Sequence, residues 1–192
     1  MKKTLLLLLL PLLSVAQESE TKVYKGEIKS NLFDLVVGKS INLGYEYFLK
    51  GNQSVQFDVT AFDTYSYLDA GYMDENNLFG FQASYNIYFS KKKDHHGFVF
   101  YPFLKYRTGT QVVNDYYYDY NPVTGVYTSR SEEFDLSGLE AGFGLGHKWL
   151  FNDKISLGVG AQVGRNFSNN TEISDNYGEI DFKANVTLGF RL

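Results

Sequence analysis

Apolar and polar residues alternate with a period of two along most of the chain, and this alternation constrains the fold more than any other feature. In the last segment, residues 180–192, every even position is apolar and every odd position is polar or glycine. Successive side chains of a β-strand point to opposite faces, so such a segment predicts a strand with one apolar and one polar face. After the first sixteen residues, no stretch repeats convincingly at the helical period of 3.6.

We count eight alternating segments, so the sequence predicts eight strands. The first (24–36) and the fifth (98–109) are the least regular, and Pro102 interrupts the fifth. The approximate connections between strands are residues 34–40, 50–53, 66–77, 90–96, 110–133, 150–154 and 167–178. Short turns that alternate with mostly longer loops are typical of outer-membrane barrels, and an even strand number places both termini on the periplasmic side. We therefore predict an eight-stranded antiparallel up-and-down transmembrane β-barrel over residues 24–192.

The first sixteen residues have the pattern of a secretory signal peptide. Lys2 and Lys3 precede an apolar stretch at residues 5–13, and small residues at Ser14 and Ala16 complete a cleavage site. We expect cleavage after Ala16, which leaves residues 17–23 as a short periplasmic segment. The mature chain then has 16 basic and 22 acidic residues, a net charge of −6, which gives no basic surface for nucleic acid.

The two faces of the strands decide whether such a barrel is soluble or spans a membrane. The apolar face carries bulky residues, for example Phe81, Phe143, Trp149 and Phe182, whereas the other face is mostly glycine, small polar residues and charges. Eight strands enclose only enough room for side chains, so the small polar set suits the interior and the bulky set suits lipid. The alternative is a soluble secreted barrel with the faces inverted, which binds an apolar ligand.

Three short motifs resemble a known class of barrels. They are residues 28–32 (IKSNL) followed by 42–46 (NLGYE), residues 103–107 (FLKYR), and the alternating apolar residues that close the chain at Phe190 and Leu192. The chain resembles the small eight-stranded outer-membrane barrels of the OmpA/OmpX type, and within them an uncharacterised family of Gram-negative outer-membrane barrel domains. The resemblance implies a porin-like architecture in outer-membrane lipid. It also implies recognition of the last strand by the barrel-assembly machinery, although many such proteins end in Phe rather than Leu.

The polar face of the predicted strands contains charges of both signs. Charges in a narrow lumen must pair, so we predict that they form a plug of ion pairs; the alternative is a narrow, gated pore. The lumen candidates are Glu27, Lys29, Glu46, Asp58, Lys105, Arg107, Glu140, Lys148, Asp181, Lys183 and Arg191.

The fifth connection is rich in tyrosine. Tyrosine offers a large contact area and a hydroxyl group at low entropic cost, so this connection is a candidate site for an extracellular glycan or protein. The candidate residues are Tyr116, Tyr117, Tyr118, Tyr120 and Tyr127, with Tyr67 and Tyr72 from the third connection and Tyr65 directly before it. The alternative is an interfacial aromatic girdle with a mobile loop.

Catalytic and metal-binding motifs are weak. The chain has no cysteine and no G-x-S-x-G motif, and its three histidines (His95, His96 and His147) lie near the short turns. A lipid-modifying hydrolase needs a nucleophile activated by a positioned base, and adjacent histidines rarely bind one metal ion. We therefore expect no catalytic residue, no metal site and no cofactor, and we keep the lipid-modifying enzyme as an alternative.

Overall fold

The computed structural model describes residues 24–64, 73–91, 94–167 and 179–192, and in residues 73–74, 113–118 and 129–130 it describes the backbone alone. Eleven strands and one short helix occupy the described residues. In chain order they are β1 (Gly26–Asn31), α1 (Leu32–Val36), β2 (Ile41–Phe48), β3 (Gln53–Ala61), β4 (Met73–Asn76), β5 (Phe79–Phe89), β6 (Gly97–Thr108), β7 (Thr110–Asn121), β8 (Val126–Asp135), β9 (Gly138–Phe151), β10 (Ile155–Asn166) and β11 (Ile180–Arg191).

Eight of these strands close into a barrel. The order around the barrel is β1-β11-β10-β9-β6-β5-β3-β2, and every neighbouring pair is antiparallel. The first and last strands close it, with Glu27 opposite Arg191 and Ile28 opposite Phe190. The prediction of an eight-stranded antiparallel up-and-down barrel is confirmed.

The barrel has one end with short turns and one with long connections. Of the described residues, the short-turn end contains 49–52, 90–91, 94–96 and 152–154, together with both described chain ends, where the Lys25 amide donates to the Leu192 carbonyl at 3.1 Å. The long-loop end contains the described residues 32–40, 62–64, 73–78, 109–137, 167 and 179. No helix in the described part of the chain is long and apolar enough to cross a membrane.

The two faces of the strands are distributed as the alternation predicts. Polar and charged side chains on β1, β2, β6 and β9 are buried inside the barrel. Large apolar side chains stand on its outer wall, including Leu43 and Phe57, which are 61% and 59% exposed, and the half-exposed Phe143. The interior is therefore polar and the exterior is apolar.

A second sheet projects from the long-loop end. Its order is β4-β7-β8, and apart from the last two residues of β8 it lies within the third and fifth connections, where the sequence predicts loops. That expectation is wrong, because β7 continues from β6 after Gly109 alone, at a positive φ of 122°, and pairs with β8 as a long hairpin. Leu78, Phe134 and Leu136 are buried where this sheet joins the barrel.

Two predicted strands differ in detail. The first strand ends at Asn31 rather than at residue 36, because the Asn31 side chain accepts a hydrogen bond from the Phe33 amide and caps α1. Pro102 does not end the fifth strand; β6 continues through it in one register. The β5–β6 pairing skips the positions opposite Pro102 and Tyr101, consistent with the missing proline N–H.

Candidate functional site

Five charged side chains form a cluster near the short-turn end of the lumen. We call Glu27, Lys29, Glu46, Lys148 and Arg191 the short-turn cluster. The Glu46 carboxylate accepts from the ammonium groups of Lys29 at 2.5 Å and Lys148 at 3.0 Å. Glu27 lies 3.3 Å from Lys148 and 3.6 Å from the Arg191 Nε. The cluster joins strands on opposite sides of the barrel, so it fills the lumen at this level.

Hydroxyl groups complete the coordination of the two glutamates. The Tyr88 hydroxyl donates to Glu46 Oε1 at 2.6 Å, and Ser54 donates to the same oxygen. The Ser156 hydroxyl donates to Glu27 Oε1 at 2.5 Å. Such additional hydrogen-bond donors offset much of the free-energy cost of removing the two carboxylates from water.

The turn between β5 and β6 covers the short-turn cluster. His95 stacks on Phe48 with ring centroids 4.4 Å apart, and its Nε2–H donates to the Leu49 carbonyl at 3.0 Å. The Arg191 guanidinium donates to the carbonyls of Asp94 at 2.5 Å and His95 at 3.2 Å. Partial burial lowers the pKa of His95 below its ordinary value, although its bond to Leu49 acts in the opposite direction.

A second cluster of six charges lies towards the long-loop end. We call Asp63, Lys105, Arg107, Glu140, Asp181 and Lys183 the long-loop cluster. Asp63 Oδ2 lies 2.6 Å from Lys105 and 2.7 Å from Arg107 Nε, and its Oδ1 lies 3.5 Å from Lys183. Arg107 also donates to Asp181 at 3.0 Å, and its Nη1 is 3.7 Å from Glu140.

The alternation pattern does not predict Asp63, which is the centre of this cluster. The alternation of the third strand placed position 63 on the apolar face, but β3 ends at Ala61 and Phe62 has a φ of 57°, and Asp63 lies buried in the lumen. Burial alone would raise the pKa of Asp63, but the charges of Arg107, Lys105 and Lys183 outweigh burial and hold this pKa well below its usual range. The sequence did contain a signal for this departure, because a carboxylate stands at a position where the alternation predicts an apolar, outward-facing side chain.

Polar side chains and a cavity occupy the middle of the lumen. Gln82 on β5 and Gln162 on β10 exchange amide hydrogen bonds of 3.4 and 3.1 Å across the barrel, and Asn185 donates to the Tyr101 hydroxyl at 2.9 Å. A cavity of about 110 Å³ lies among these residues. That volume holds several water molecules.

All eleven predicted lumen residues are buried, but one does not form an ion pair. Asp58 was predicted to join the plug. Among the described residues no cation lies within 4.0 Å of it, and both its oxygens instead accept from the Gln56 amide at 2.8 Å. With Asp63 included, the two clusters and Asp58 contain six acids and six bases; α1 adds the buried Asp34.

The predicted tyrosine site falls on strands rather than on a loop. Tyr116, Tyr117, Tyr118 and Tyr120 belong to β7, and Tyr127 belongs to β8, with Tyr120 directly opposite Tyr127. Tyr65, Tyr67 and Tyr72 lie outside the described residues.

The tip of the β7–β8 hairpin is exposed and braced. The rings of Tyr120 and Tyr127 lie 4.9 Å apart, and Val123 between them is 91% exposed. The Asn121 side chain accepts from the amides of Val123 at 2.9 Å and Thr124 at 3.3 Å. This tip is the largest exposed aromatic feature of the second sheet among residues whose side chains are described.

Each of the three histidines contacts a neighbouring side chain or carbonyl in a turn or on the outer wall. His147 is exposed on the outer wall beside Trp149, with ring centroids 4.5 Å apart, and His96 pairs with Asp94 in a turn. Within the described residues, no group of three or more histidine or carboxylate side chains is arranged to hold a metal ion.

Two solved structures are similar to this chain at low sequence identity. One is the N-terminal β-barrel domain of Pseudomonas aeruginosa OprF, with 12% identity, a TM-score of 0.44, and coverage of 87% of this chain and 95% of that one. The other is Neisserial surface protein A (NspA), with 11% identity, a TM-score of 0.44, and coverage of 87% and 92%. No protein-family model matches the sequence, and no curated protein matches it.

Proposed function

We propose that the protein is a non-enzymatic outer-membrane barrel whose plugged lumen supports a binding sheet at the cell surface. The observation that supports this proposal most directly is a closed barrel with an apolar outer wall and a buried, charged interior. A soluble barrel would expose that wall to water as an aggregation hazard. In a bilayer, closure leaves no strand edge unpaired within the hydrocarbon region.

Cell fractionation tests the location. We expect the protein in the outer-membrane fraction, as a band whose mobility on gels changes with heating because the folded barrel resists detergent. Recovery in the soluble periplasmic fraction without detergent would contradict membrane residence and support the soluble ligand-binding alternative.

The lumen geometry supports a plug rather than a pore. Two ion-pair clusters cross the lumen at different heights, and the His95–Phe48 stack covers one end. We expect no steady single-channel conductance from the wild type in planar bilayers. Because the two clusters close the lumen separately, we expect channel openings only when Asp63→Ala and Arg107→Ala are combined with Glu46→Ala and Lys148→Ala, and none after the exposed turn substitution Asp153→Asn. Steady conductance of the wild type would favour the narrow pore.

The position of the histidines argues against a lipid-modifying enzyme. A hydrolase for outer-leaflet lipid needs a base beside its nucleophile at the long-loop end, whereas His95, His96 and His147 belong to the short-turn end. We expect no release of fatty acid from outer-membrane lipid by the purified barrel. Release that is lost on changing one of these histidines to alanine would support the enzyme instead.

The second sheet supports a surface-binding role. It stands beyond the barrel on the side opposite both termini, and its tip exposes Tyr120, Val123 and Tyr127. Because the termini of outer-membrane barrels face the periplasm, this sheet would face the medium.

A further inference from the structure

We propose that the sheet formed by β4, β7 and β8 binds a cationic polypeptide; this inference rests on the surface-binding role proposed above. Residues 73–76 and 110–135, which form the sheet and its tip, contain seven acids and one arginine. Outside this sheet, and without residues 1–16, the chain has fifteen acids and fifteen bases. The whole net charge of −6 is therefore concentrated on this sheet.

The acids of the sheet differ from those of the lumen in their surroundings. Glu75, Asp119 and Glu133 are exposed, one on each strand of the sheet, whereas the lumen acids are buried. Exposed charges of one sign create a field that extends into solvent and raises the association rate of an oppositely charged partner.

The hairpin tip adds exposed aromatic and apolar surface that a partner could contact, in addition to the charges of the sheet. Tyr120 and Tyr127 are 54% and 67% exposed, and Val123 and Val126 flank them with exposed apolar surface. Tyrosine rings bind lysine and arginine through cation–π contacts, and tyrosines are common among the residues that dominate binding energy.

The tip is held in place before any partner arrives. Besides the two amides bound by the Asn121 side chain, the Gly125 amide donates to the Asn121 carbonyl at 2.8 Å, with Gly125 at a φ of 68°. At the base of the sheet, Leu78, Phe134 and Leu136 are buried and attach it to the barrel. A preorganised surface loses little conformational entropy on binding.

The negative charge of the sheet favours a cationic polypeptide over other partners. A second copy of the chain would bring an equally acidic sheet against the first, and phosphorylated or sulfated ligands would meet the same repulsion. A neutral glycan would gain nothing from the net charge. A polypeptide with lysine or arginine beside apolar residues complements both the acids and the exposed tip.

The test measures binding of defined probes to the purified full chain in detergent. The probes are a short peptide of alternating lysine and leucine, the same peptide with glutamate in place of lysine, and dextran as a neutral glycan. We expect binding of the lysine peptide only. Its affinity should fall between about 0.01 M and about 0.1 M salt, as the Debye length falls from about 30 to about 10 Å.

Substitutions separate the two parts of the surface. Tyr120→Ala with Tyr127→Ala should lower the affinity for the lysine peptide about tenfold or more. Glu75→Gln with Asp119→Asn and Glu133→Gln should weaken binding and flatten its salt dependence. Tyr106→Ala on the outer wall and Asp153→Asn in a short turn are matched controls that should leave the affinity unchanged.

Each other outcome overturns the inference in a recognisable way. Tyrosine-dependent binding of dextran overturns the cationic partner but leaves the surface-binding role standing. A dimer that depends on the same tyrosines assigns the surface to a second copy. If the folded barrel binds no probe, the inference fails, and labelling of the tip on intact cells separately decides whether the sheet reaches the surface.

Discussion

Asp63 is the residue on which three lumen cations converge. Its carboxylate lies within 3.5 Å of Lys105, Arg107 and Lys183, and it is buried. Glu140 is peripheral by comparison, because Arg107 approaches it only to 3.7 Å and has closer contacts with Asp63 and Asp181. The stability of the long-loop cluster therefore depends unequally on its acids.

This inequality predicts the effects of two conservative substitutions. Asp63→Asn leaves three buried cations without their shared counter-charge, and we expect it to lower the free energy of unfolding by about 3–5 kcal/mol at neutral pH. Glu140→Gln should cost about 1 kcal/mol, because Arg107 keeps two carboxylates. Urea unfolding in detergent, followed by the fluorescence of Trp149, measures both. Equal losses would contradict the central position of Asp63.

The pH dependence of stability follows from the direction of the Asp63 shift. Its pKa is depressed in the folded barrel, so at low pH the unfolded chain takes up a proton more readily than the folded one. The stability that Asp63 contributes is complete above its unfolded pKa of about 3.9 and is lost as pH falls below that value towards the folded pKa. The difference in unfolding free energy between wild type and Asp63→Asn should therefore narrow below about pH 4. A constant difference would contradict the ion-pair role.

Alternation predicts most lumen residues but not the ones whose backbone departs from the strand. Lys105 and Arg107 point inward because their positions in a regular strand require it. Asp63 was missed because its direction depends on the positive φ of Phe62, which bulky residues rarely adopt. Asp58 was placed correctly inside, but alternation does not specify which buried partner is within reach.

The glycines of β9 make room for aromatic side chains inside the barrel. A Cβ atom at Gly144 would lie 2.2 Å from the Tyr101 ring, which is far inside van der Waals contact. Tyr101 sits opposite Gly144 on β6 and accepts a hydrogen bond from Asn185 in the middle of the lumen. The glycine therefore serves the packing of the neighbouring strand.

A double-mutant cycle tests this packing. Gly144→Ala should lower the free energy of unfolding by about 1–3 kcal/mol, because the ring must move out of its position. In the Tyr101→Ala background the same substitution should cost much less, since the clash is absent. Additive losses in the double variant would show that the ring and the glycine are independent.

A substitution in the last strand, β11, tests how the barrel is assembled into the membrane rather than how its side chains pack. Phe190 stands on the outer wall of β11, opposite Ile28 and Ile155. An acidic residue near the membrane interface costs at most about 1 kcal/mol directly, so Phe190→Asp should leave the barrel able to fold in detergent. In cells we expect it to fail to reach the outer membrane, because we propose that the apolar end of β11 is the assembly signal. Phe182→Asp, on the same face far from the terminus, is the comparison; equal insertion of Phe190→Asp and wild type would contradict the signal.

The sequence did not predict the elements that lack two contrasting faces, one apolar and one polar. The eight barrel strands have an apolar outer side and a polar side facing the lumen, so their pattern carries a clear period of two. The run of tyrosines and aspartates in β7 has no such period, and β7 lies beyond the barrel wall, so it was predicted as a connection. The helix α1 has only five residues, too few for a periodic signal.

At the scale of the whole molecule, charge is segregated between the two ends. The described terminus and turns of the short-turn end, residues 24–25, 49–52, 90–91, 94–96 and 152–154, contain four lysines and two aspartates. The second sheet at the other end contains seven acids and one arginine. The two ends therefore differ in the sign of the charge that they present, and the binding proposed for the second sheet requires that this sheet faces the medium.

Cysteine labelling on living cells tests that orientation and the membrane-spanning barrel together. The chain has no cysteine, so Val123→Cys at the hairpin tip and Asp153→Cys in a short turn each introduce a single thiol at an exposed site. With a maleimide that cannot cross membranes, we expect Val123→Cys to be labelled on intact cells, and Asp153→Cys to be labelled only after the outer membrane is permeabilised. The opposite pattern, or equal labelling of both thiols before and after permeabilisation, would contradict a barrel that spans the outer membrane with its second sheet outside.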